Sequence, residues 1–210
     1  MSMPREQKIT CPQCGKEIEF TMWESINTEM DFAIPDILSG KLFEIECKNC
    51  GLKTHIVYPV LFNDLERNVW IWLQPDFDGE DADGMLKMTK SMGTRIRIVL
   101  TQEDLREKTA ILNAGLDDRL VELAKIFLRA QIDSQLEGKE VEKVFLNITE
   151  NGFLWELVID GKSQLLEAPS DMFDELAEQL QAELPSPEEE PYVIDSEWAL
   201  QFLEENMPEE

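Results

Sequence analysis

The sequence has little of what most catalytic sites are built from. Among 210 residues there are one histidine, His55, and four cysteines. A single histidine leaves no choice of general base for a Ser/His/Asp arrangement. The phosphate-binding and nucleophile motifs G-x-x-x-x-G-K-[ST], G-x-G-x-x-G and G-x-S-x-G are absent from the sequence. An enzyme is therefore the less favoured reading, and His55 is interpreted as a structural or surface residue.

Positive charge is also scarce. The chain has 19 Lys and Arg against 44 Asp and Glu, for a net charge of −25. The excess is concentrated in residues 101–210, with 28 acidic and 8 basic side chains, and residues 163–210 contain no Lys or Arg. Because phosphate backbones repel such a surface, the sequence predicts no nucleic-acid binding. We expect the binding partner to be a protein with a basic or amphipathic surface.

Long apolar runs are missing too. No segment approaches the roughly 18 apolar residues needed to cross a bilayer, and residues 1–10 contain no apolar signal-peptide core. We therefore expect no membrane association. Since the cysteines are confined to metal-like pairs, we expect a protein of the reducing cytoplasm.

What the sequence does contain is two short cysteine pairs. Cys11 and Cys14 form the first pair and Cys47 and Cys50 the second, and each pair is followed directly by glycine. Two cysteines three positions apart can approach one ion only if the chain turns tightly, and glycine allows the positive φ that closes such a turn. Four thiolates suit Zn²⁺ in a closed tetrahedral site that leaves no position for a substrate. The spacing predicts a structural zinc site with these four cysteines as ligands.

Two other interpretations of the cysteines stay open at this point. Iron is accommodated by the same four-sulfur geometry, although zinc is favoured over it. A thiol-redox or disulfide role is less favoured, because residues 16–20 after the first pair alternate like a strand rather than opening a helix.

Several motifs in the first two thirds of the chain occur together. They are residues 10–15 (Thr-Cys-Pro-Gln-Cys-Gly), 42–47 (Leu-Phe-Glu-Ile-Glu-Cys), 58–59 (Tyr-Pro), 71–75 (Ile-Trp-Leu-Gln-Pro), 95–99 (Arg-Ile-Arg-Ile-Val) and 114–119 (Ala-Gly-Leu-Asp-Asp-Arg). In combination these motifs resemble the CpXC domain, a prokaryotic family named for its Cys-Pro-x-Cys motif, over roughly residues 5–130. The second pair, Cys-Lys-Asn-Cys, lacks the proline of the first. The resemblance implies cytoplasmic metal binding and specifies no activity.

The expected fold class is α+β. Its first part is a zinc-ribbon-like β region around the two cysteine turns, which we call knuckles. Alternating and β-branched runs predict strands, and a bend is expected near Trp23 because alternation breaks there. A short helix is expected over residues 32–38, ended by Gly40. The predicted strands are residues 16–27, 42–46, 54–61, 69–73 and 95–100.

The second part is predicted to be an αα-hairpin followed by a small β-meander and C-terminal helices. Thr101 is the expected N-cap of the first hairpin helix, which runs to 113, and the second runs over 117–132. Turn signals at Asn151-Gly152 and Asp160-Gly161 predict three strands over 141–166, and a helix follows over 169–184. The predicted domains are 1–134, a CpXC-like zinc-ribbon/β and αα-hairpin domain; 135–184, meander and helix; 185–191, a Pro/Glu linker; and 192–210, an acidic terminal helix.

The terminal helix has an apolar face that admits two interpretations. It folds back on its own domain, or it docks in a partner's groove, and the sequence does not decide between them. The residues of that face are Ile194, Trp198, Ala199, Phe202 and Leu203.

Two hypotheses about function follow. The favoured one is a cytoplasmic structural-zinc protein that acts as a protein-binding adaptor or regulatory module. The alternative is a divalent-metal-dependent enzyme that uses Asp76, Asp78 and Asp83 of the acidic loop 76–84, although the loop fails the EF-hand pattern. A thiol-redox protein is a further alternative. A DNA-binding interpretation of the αα-hairpin is not favoured, because its second helix has no net basic face. A catalytic role for Asp117 and Asp118 is not favoured either, because helix capping explains both acids.

Overall fold

The protein contains both helices and strands, so the predicted α+β class is confirmed. The computed structural model describes residues 2–77, 84, 87, 89, 91–133, 136, 140–169, 171–186 and 189–206. The chain forms two compact units, Met1–Thr109 and Ala110–Glu210. The predicted domain boundaries at residues 134, 184 and 191 remain predictions. Within the described residues, no helix is both long enough and apolar enough to cross a membrane.

The described part of the first unit is mainly β-structure. A five-stranded mixed sheet has the order β1-β2-β5-β6-β7, and β3 and β4 form a separate antiparallel pair. In the larger sheet β1–β2 and β5–β6 are antiparallel, whereas β2–β5 and β6–β7 are parallel. In chain order the elements are β1 (Met3–Thr10), β2 (Glu17–Asn27), α1 (Ala33–Ser39), a 3₁₀-helix (Lys41–Phe43), β3 (Glu44–Glu46), β4 (Lys53–His55), β5 (Val60–Asp64), β6 (Val69–Leu73) and β7 (Arg95–Val99).

The central strands of this sheet alternate between buried and half-buried side chains. Successive side chains of a strand point to opposite faces, so one face of each strand reaches the core. On β5 the buried side chains include Val60 and Phe62, and on β6 they are Val69, Ile71 and Leu73.

The bend expected near Trp23 is present as a β-bulge. Met3 lies opposite Ser25 and Pro4 lies opposite Trp23, so Glu24 is the extra residue in β2. The predicted helix over 32–38 is α1, and Gly40 ends it with φ of 75°.

Two sequence predictions in this unit need correction, and one strand was missed. The strand predicted over 54–61 is two strands, because β4 ends at His55 and β5 begins at Val60. Between them Tyr58 is buried and its hydroxyl donates to the Leu42 carbonyl at 3.0 Å, and Pro59 has no N–H for a strand ladder. The strand predicted over 42–46 begins as the 3₁₀-helix and is extended only from Glu44. Strand β1 was not predicted at all.

The second unit combines three strands with helices. Helix α2 (Gln102–Asn113) crosses the boundary between the units, and the later elements are α3 (Asp118–Asp133), β8 (Val141–Thr149), β9 (Gly152–Ile159), β10 (Lys162–Ala168), α4 (Met172–Leu180) and α5 (Ser196–Asn206). Thr101 accepts from the Asp104 N–H at 3.1 Å and donates to its carboxylate, which is the predicted cap. The predicted meander is confirmed as the antiparallel order β10-β9-β8. The helix predicted over 169–184 is shorter, because α4 ends at Leu180.

Trp155 of β9 is the centre of the second unit's core. Its indole is 1% exposed and packs with Val121 and Ala124 of α3 and with Phe173 of α4. The Phe173 ring lies 6.1 Å from the Trp155 ring in an edge-to-face arrangement. One face of the meander is therefore covered by the chain's own helices.

The terminal helix α5 packs on its own unit. Ala199 and Phe202 of α5 lie in one apolar cluster with Leu120 and Leu123 of α3 and Leu180 of α4. Asp195 caps the helix by accepting the backbone N–H groups of Glu197 and Trp198 at 3.1 and 3.0 Å. Of the two interpretations of this helix, folding back is the one observed.

Candidate metal centre

The first knuckle is the turn of the β1–β2 hairpin. The Cys11 N–H donates to the Lys16 carbonyl at 2.8 Å, and the Gly15 N–H donates to the Cys11 carbonyl at 2.9 Å. Gly15 has φ of 69°, in the left-handed region that the turn requires. Strand β1 forms because this turn reverses the chain and pairs it with β2.

The second knuckle repeats this geometry in the β3–β4 hairpin. The Cys47 N–H donates to the Leu52 carbonyl at 2.8 Å, the Gly51 N–H donates to the Cys47 carbonyl at 2.8 Å, and Gly51 has φ of 74°. Lys48 occupies the position held by Pro12 in the first knuckle. The two backbones are thus equivalent although their intervening residues differ.

The two knuckles bring all four cysteine sulfurs together, as the spacing predicted. The Sγ atoms lie within 4.8 Å of one another, with Cys11 and Cys50 3.7 Å apart and Cys14 and Cys47 3.6 Å apart. A tetrahedral ion with metal–sulfur distances of about 2.3 Å places its sulfurs about 3.8 Å apart. A disulfide would need about 2.0 Å, and the four cysteines are free. The sulfurs therefore fit a tetrahedral metal ion and could hold one.

Apolar side chains surround the cysteine cluster. Cys11 and Cys47 are both 1% exposed, and they pack with Ile18 of β2 and Ile45 of β3. Cys14 and Cys50 are only half-buried. The cluster thus has a dry side and a side that faces solvent.

Hydrogen bonding gives the two half-buried thiols very different acidities. The backbone N–H of Lys16, which hydrogen-bonds the sulfur, lowers the pKa of the Cys14 thiol to about 6. The backbone N–H of Leu52 also lowers the pKa of Cys50, but burial and hydrogen bonds with the other cysteines outweigh it and raise that pKa to about 12. In the absence of metal, Cys14 is therefore the first of these two to become a thiolate.

The remaining residues considered as site candidates lie apart from this cluster. Among the described residues the metal-competent group consists of the four cysteines alone. His55 is exposed at the end of β4, as expected for a surface residue, and it lies opposite Glu44. Asp76 is exposed, whereas Asp78 and Asp83 are outside the described residues, so the acidic-loop hypothesis stays a prediction.

Asp117 has the capping role expected for it. Its carboxylate accepts the Arg119 backbone N–H at 3.0 Å at the start of α3, and it pairs with the Arg119 guanidinium at 2.6 Å. Burial raises the pKa of Asp117, but the hydrogen bonds and charge of Arg119 outweigh burial and the net pKa is lowered.

Sequence reasoning missed the role of Arg119 itself. Its guanidinium donates to the Pro185 carbonyl at 2.8 Å and lies 3.4 Å from the Glu190 carboxylate. Arg119 and Glu190 are 8% and 5% exposed. Residues 185, 186 and 189–195, which we call the strap, are therefore held by Arg119 at two points, Pro185 and Glu190. Nothing in the Pro/Glu composition of the predicted linker distinguishes Glu190 from the exposed Glu189.

The knuckle glycines lead to a stability prediction. We expect Gly51→Ala to destabilise the first unit by about 1 kcal/mol, because Gly51 has positive φ and a β-carbon there is strained. Apart from Gly51 and its two chain neighbours, no atom of the described residues lies within 4 Å of the added carbon, so the penalty is conformational rather than steric. Urea unfolding measures it. Gly51→Asn is the matched control, because asparagine tolerates this conformation, and an equal loss in both variants would contradict the explanation.

Comparison of the chain with known protein families agrees with the sequence motifs. The family model described as CpXC protein matches residues 9–125. A search of curated proteins and a search of solved structures each gave no match. The matched segment contains both knuckles and extends into α3, and it covers more than half of the chain. The chain therefore belongs to the CpXC family.

Proposed function

We propose that the four cysteines bind one structural Zn²⁺ and that the protein is a cytoplasmic protein-binding module of the zinc-ribbon type. The observation that carries the zinc proposal is the separation of the sulfurs, 3.6 and 3.7 Å, which is close to the edge of a zinc–thiolate tetrahedron. Zinc is preferred to iron because it commonly fills closed four-cysteine sites between two knuckles. With four protein ligands the ion has no open position, so its role is to hold the two hairpins together.

Charge supports the protein-binding half of the proposal. The chain carries a net charge of −25. Two basic residues of α3, Arg119 and Lys125, are buried in ion pairs, Lys125 with Glu122 at 3.1 Å. Cations used in this way are not available to phosphate backbones. A basic protein surface is the better match to the charge of the chain.

Metal analysis together with thiol titration tests the zinc proposal. We expect about one zinc ion per purified chain, and four thiols that react with a thiol reagent only after chelation. A chain that purifies without metal and with freely reactive thiols would contradict the proposal and favour the thiol-redox alternative, since Cys14 ionises readily. Iron in place of zinc would keep the structural role and correct the metal.

A further inference from the structure

An open groove lies beside the terminal helix, within the second unit. Its volume is about 550 Å³. One wall is the strap and the other is α5. We call this feature the α5 groove.

Both walls of the groove are fixed by contacts already described. Arg119 holds the strap through the Pro185 carbonyl and the Glu190 carboxylate. Asp195 caps α5, and the side chains of Ala199 and Phe202 anchor the helix in the core. A groove whose walls are held in place loses little entropy when a ligand binds.

The floor of the α5 groove is aromatic. Phe202 is 6% exposed, and the half-buried Trp198 ring stacks at a tilt with its centroid 5.5 Å from that of Phe202. Pro185 and Val193 add apolar surface on the strap side. Such a floor favours apolar groups, and the face of an indole ring also attracts cations.

The rim of the groove is acidic. Among the residues that the structure describes, the lining contains the carboxylates of Glu183, Asp195, Glu197 and Glu205 and no Lys or Arg. The sequence from 163 to 210 contains no basic residue that could neutralise them. A concave surface lined by one sign of charge raises the local concentration of ligands of the opposite sign.

We propose that the α5 groove binds an extended segment of a partner protein in which arginine or lysine alternates with apolar residues. This inference rests on the proposed protein-binding function and names the chemistry of the partner. Arginine and lysine have apolar stems that lie well on aromatic rings, and charged ends that pair with carboxylates. Apolar side chains of the same segment pack against the floor. A second copy of the chain is not a suitable occupant, because each copy carries a charge of −25.

Binding of a labelled peptide tests the proposal. The probe is a fluorescein-labelled peptide of alternating arginine and leucine, and a peptide with glutamine in place of arginine controls for apolar binding. Fluorescence anisotropy is measured with the zinc-loaded full chain at low and high salt. We expect the arginine peptide to bind at low salt, and the glutamine peptide to bind at least about tenfold more weakly because two or more charge pairs are lost.

Two matched double variants separate the groove from general attraction to an acidic protein. Glu197→Gln with Glu205→Gln removes two groove carboxylates, whereas Glu178→Gln with Glu204→Gln removes two exposed carboxylates outside the groove. Both pairs change the net charge by the same amount. The groove pair is expected to weaken binding by about fivefold or more, and the control pair by less than about twofold. Far-UV circular dichroism checks that both variants are folded.

Several outcomes would overturn the proposal. Equal losses of peptide affinity in the groove variant and the control variant would mean non-specific attraction to an acidic protein. If the arginine peptide does not bind at low salt, the groove is not a site for basic and apolar segments. Nuclear magnetic resonance gives a second readout, because the Trp198 indole N–H signal must shift on peptide addition. If the wild-type chain and the groove variant capture the same proteins from an extract, the proposal about the groove is wrong and the protein-binding role stands. If neither peptide nor protein binds, both proposals fail.

Discussion

Replacing Cys47 by serine is expected to abolish tight metal binding and to unfold the cysteine-bearing part of the first unit. Cys47 is 1% exposed, and its sulfur lies 3.6 Å from that of Cys14 in the other knuckle. Structural zinc in small peptides is held by about 10–16 kcal/mol, which equals or exceeds the roughly 5–15 kcal/mol that stabilises a typical domain. With zinc bound as proposed, loss of one of its four ligands weakens a contribution on which the folding of this part of the chain depends. Zinc content and thermal unfolding of the variant measure the two effects.

Replacing Cys50 by histidine is the matched control for this prediction. Cys50 is half-buried on the solvent side of the cluster, and three cysteines with one histidine form a common zinc site. We expect Cys50→His to retain zinc and to unfold at a temperature close to that of the wild type. If Cys47→Ser retains zinc and unfolds like the wild type, the four-thiolate assignment is wrong. If Cys50→His loses zinc together with Cys47→Ser, the site is more selective than its geometry implies.

The second large effect is expected at Arg119. We expect Arg119→Met to destabilise the second unit by about 3–5 kcal/mol, because it leaves the buried Glu190 carboxylate without this cation. The Pro185 carbonyl also loses its donor. Hydrogen exchange followed by mass spectrometry should show the loss of protection first in the strap and in α5. Urea unfolding measures the total loss in the free energy of unfolding.

Arg129→Met is the control for that substitution. Its ion pairs with Asp133 and Glu140 are long and partly exposed, at 3.8 and 3.5 Å, so its removal should cost no more than about 1 kcal/mol. Adding Glu190→Gln to Arg119→Met should recover part of the stability, because the buried side chain that has lost Arg119 then carries no charge. Equal losses in the Arg119 and Arg129 variants would contradict the role assigned to Arg119.

The pH dependence of stability gives an independent check on the contact between Arg119 and Asp117. Because Arg119 holds the pKa of Asp117 below its ordinary value, ionised Asp117 stabilises the folded chain above about pH 4, and this contribution is lost as the pH falls through the lowered pKa. The difference in unfolding free energy between wild type and Arg119→Met should therefore be largest near neutral pH and should shrink below about pH 4. A difference that does not change with pH would mean that Asp117 contributes little.

Local patterns in the sequence predicted local structure well. The C-x-x-C-G spacing predicted the two knuckles, because each is closed by hydrogen bonds within six residues. The Asn151-Gly152 and Asp160-Gly161 turns predicted the meander for the same reason, since a two-residue turn sets the register of its flanking strands. Thr101 and its partner Asp104 likewise identified the start of α2.

Contacts between distant residues were not predictable from those patterns. The break at Tyr58 depends on a hydrogen bond to Leu42, and the anchoring of the strap depends on Arg119, 66 residues before Pro185. β1 has no buried side chain, and it becomes a strand only through pairing with β2. The apolar face of α5 showed that the helix needed a partner surface, but only the folded chain shows that α3 and α4 supply it.

The two parallel pairings of the first unit bear on how the protein folds. Ile26 of β2 pairs with Phe62 of β5, so this pairing closes a long loop. The entropy of loop closure is lost before the hydrogen bonds between the two strands can offset it. The β1–β2 and β3–β4 hairpins close locally, and both lie before β5 in the chain. With zinc bound as proposed, the ion joins these hairpins and restrains the segment between them. The metal would then act on the folding rate as well as on stability, because it draws β2 toward the region of the chain that leads into β5.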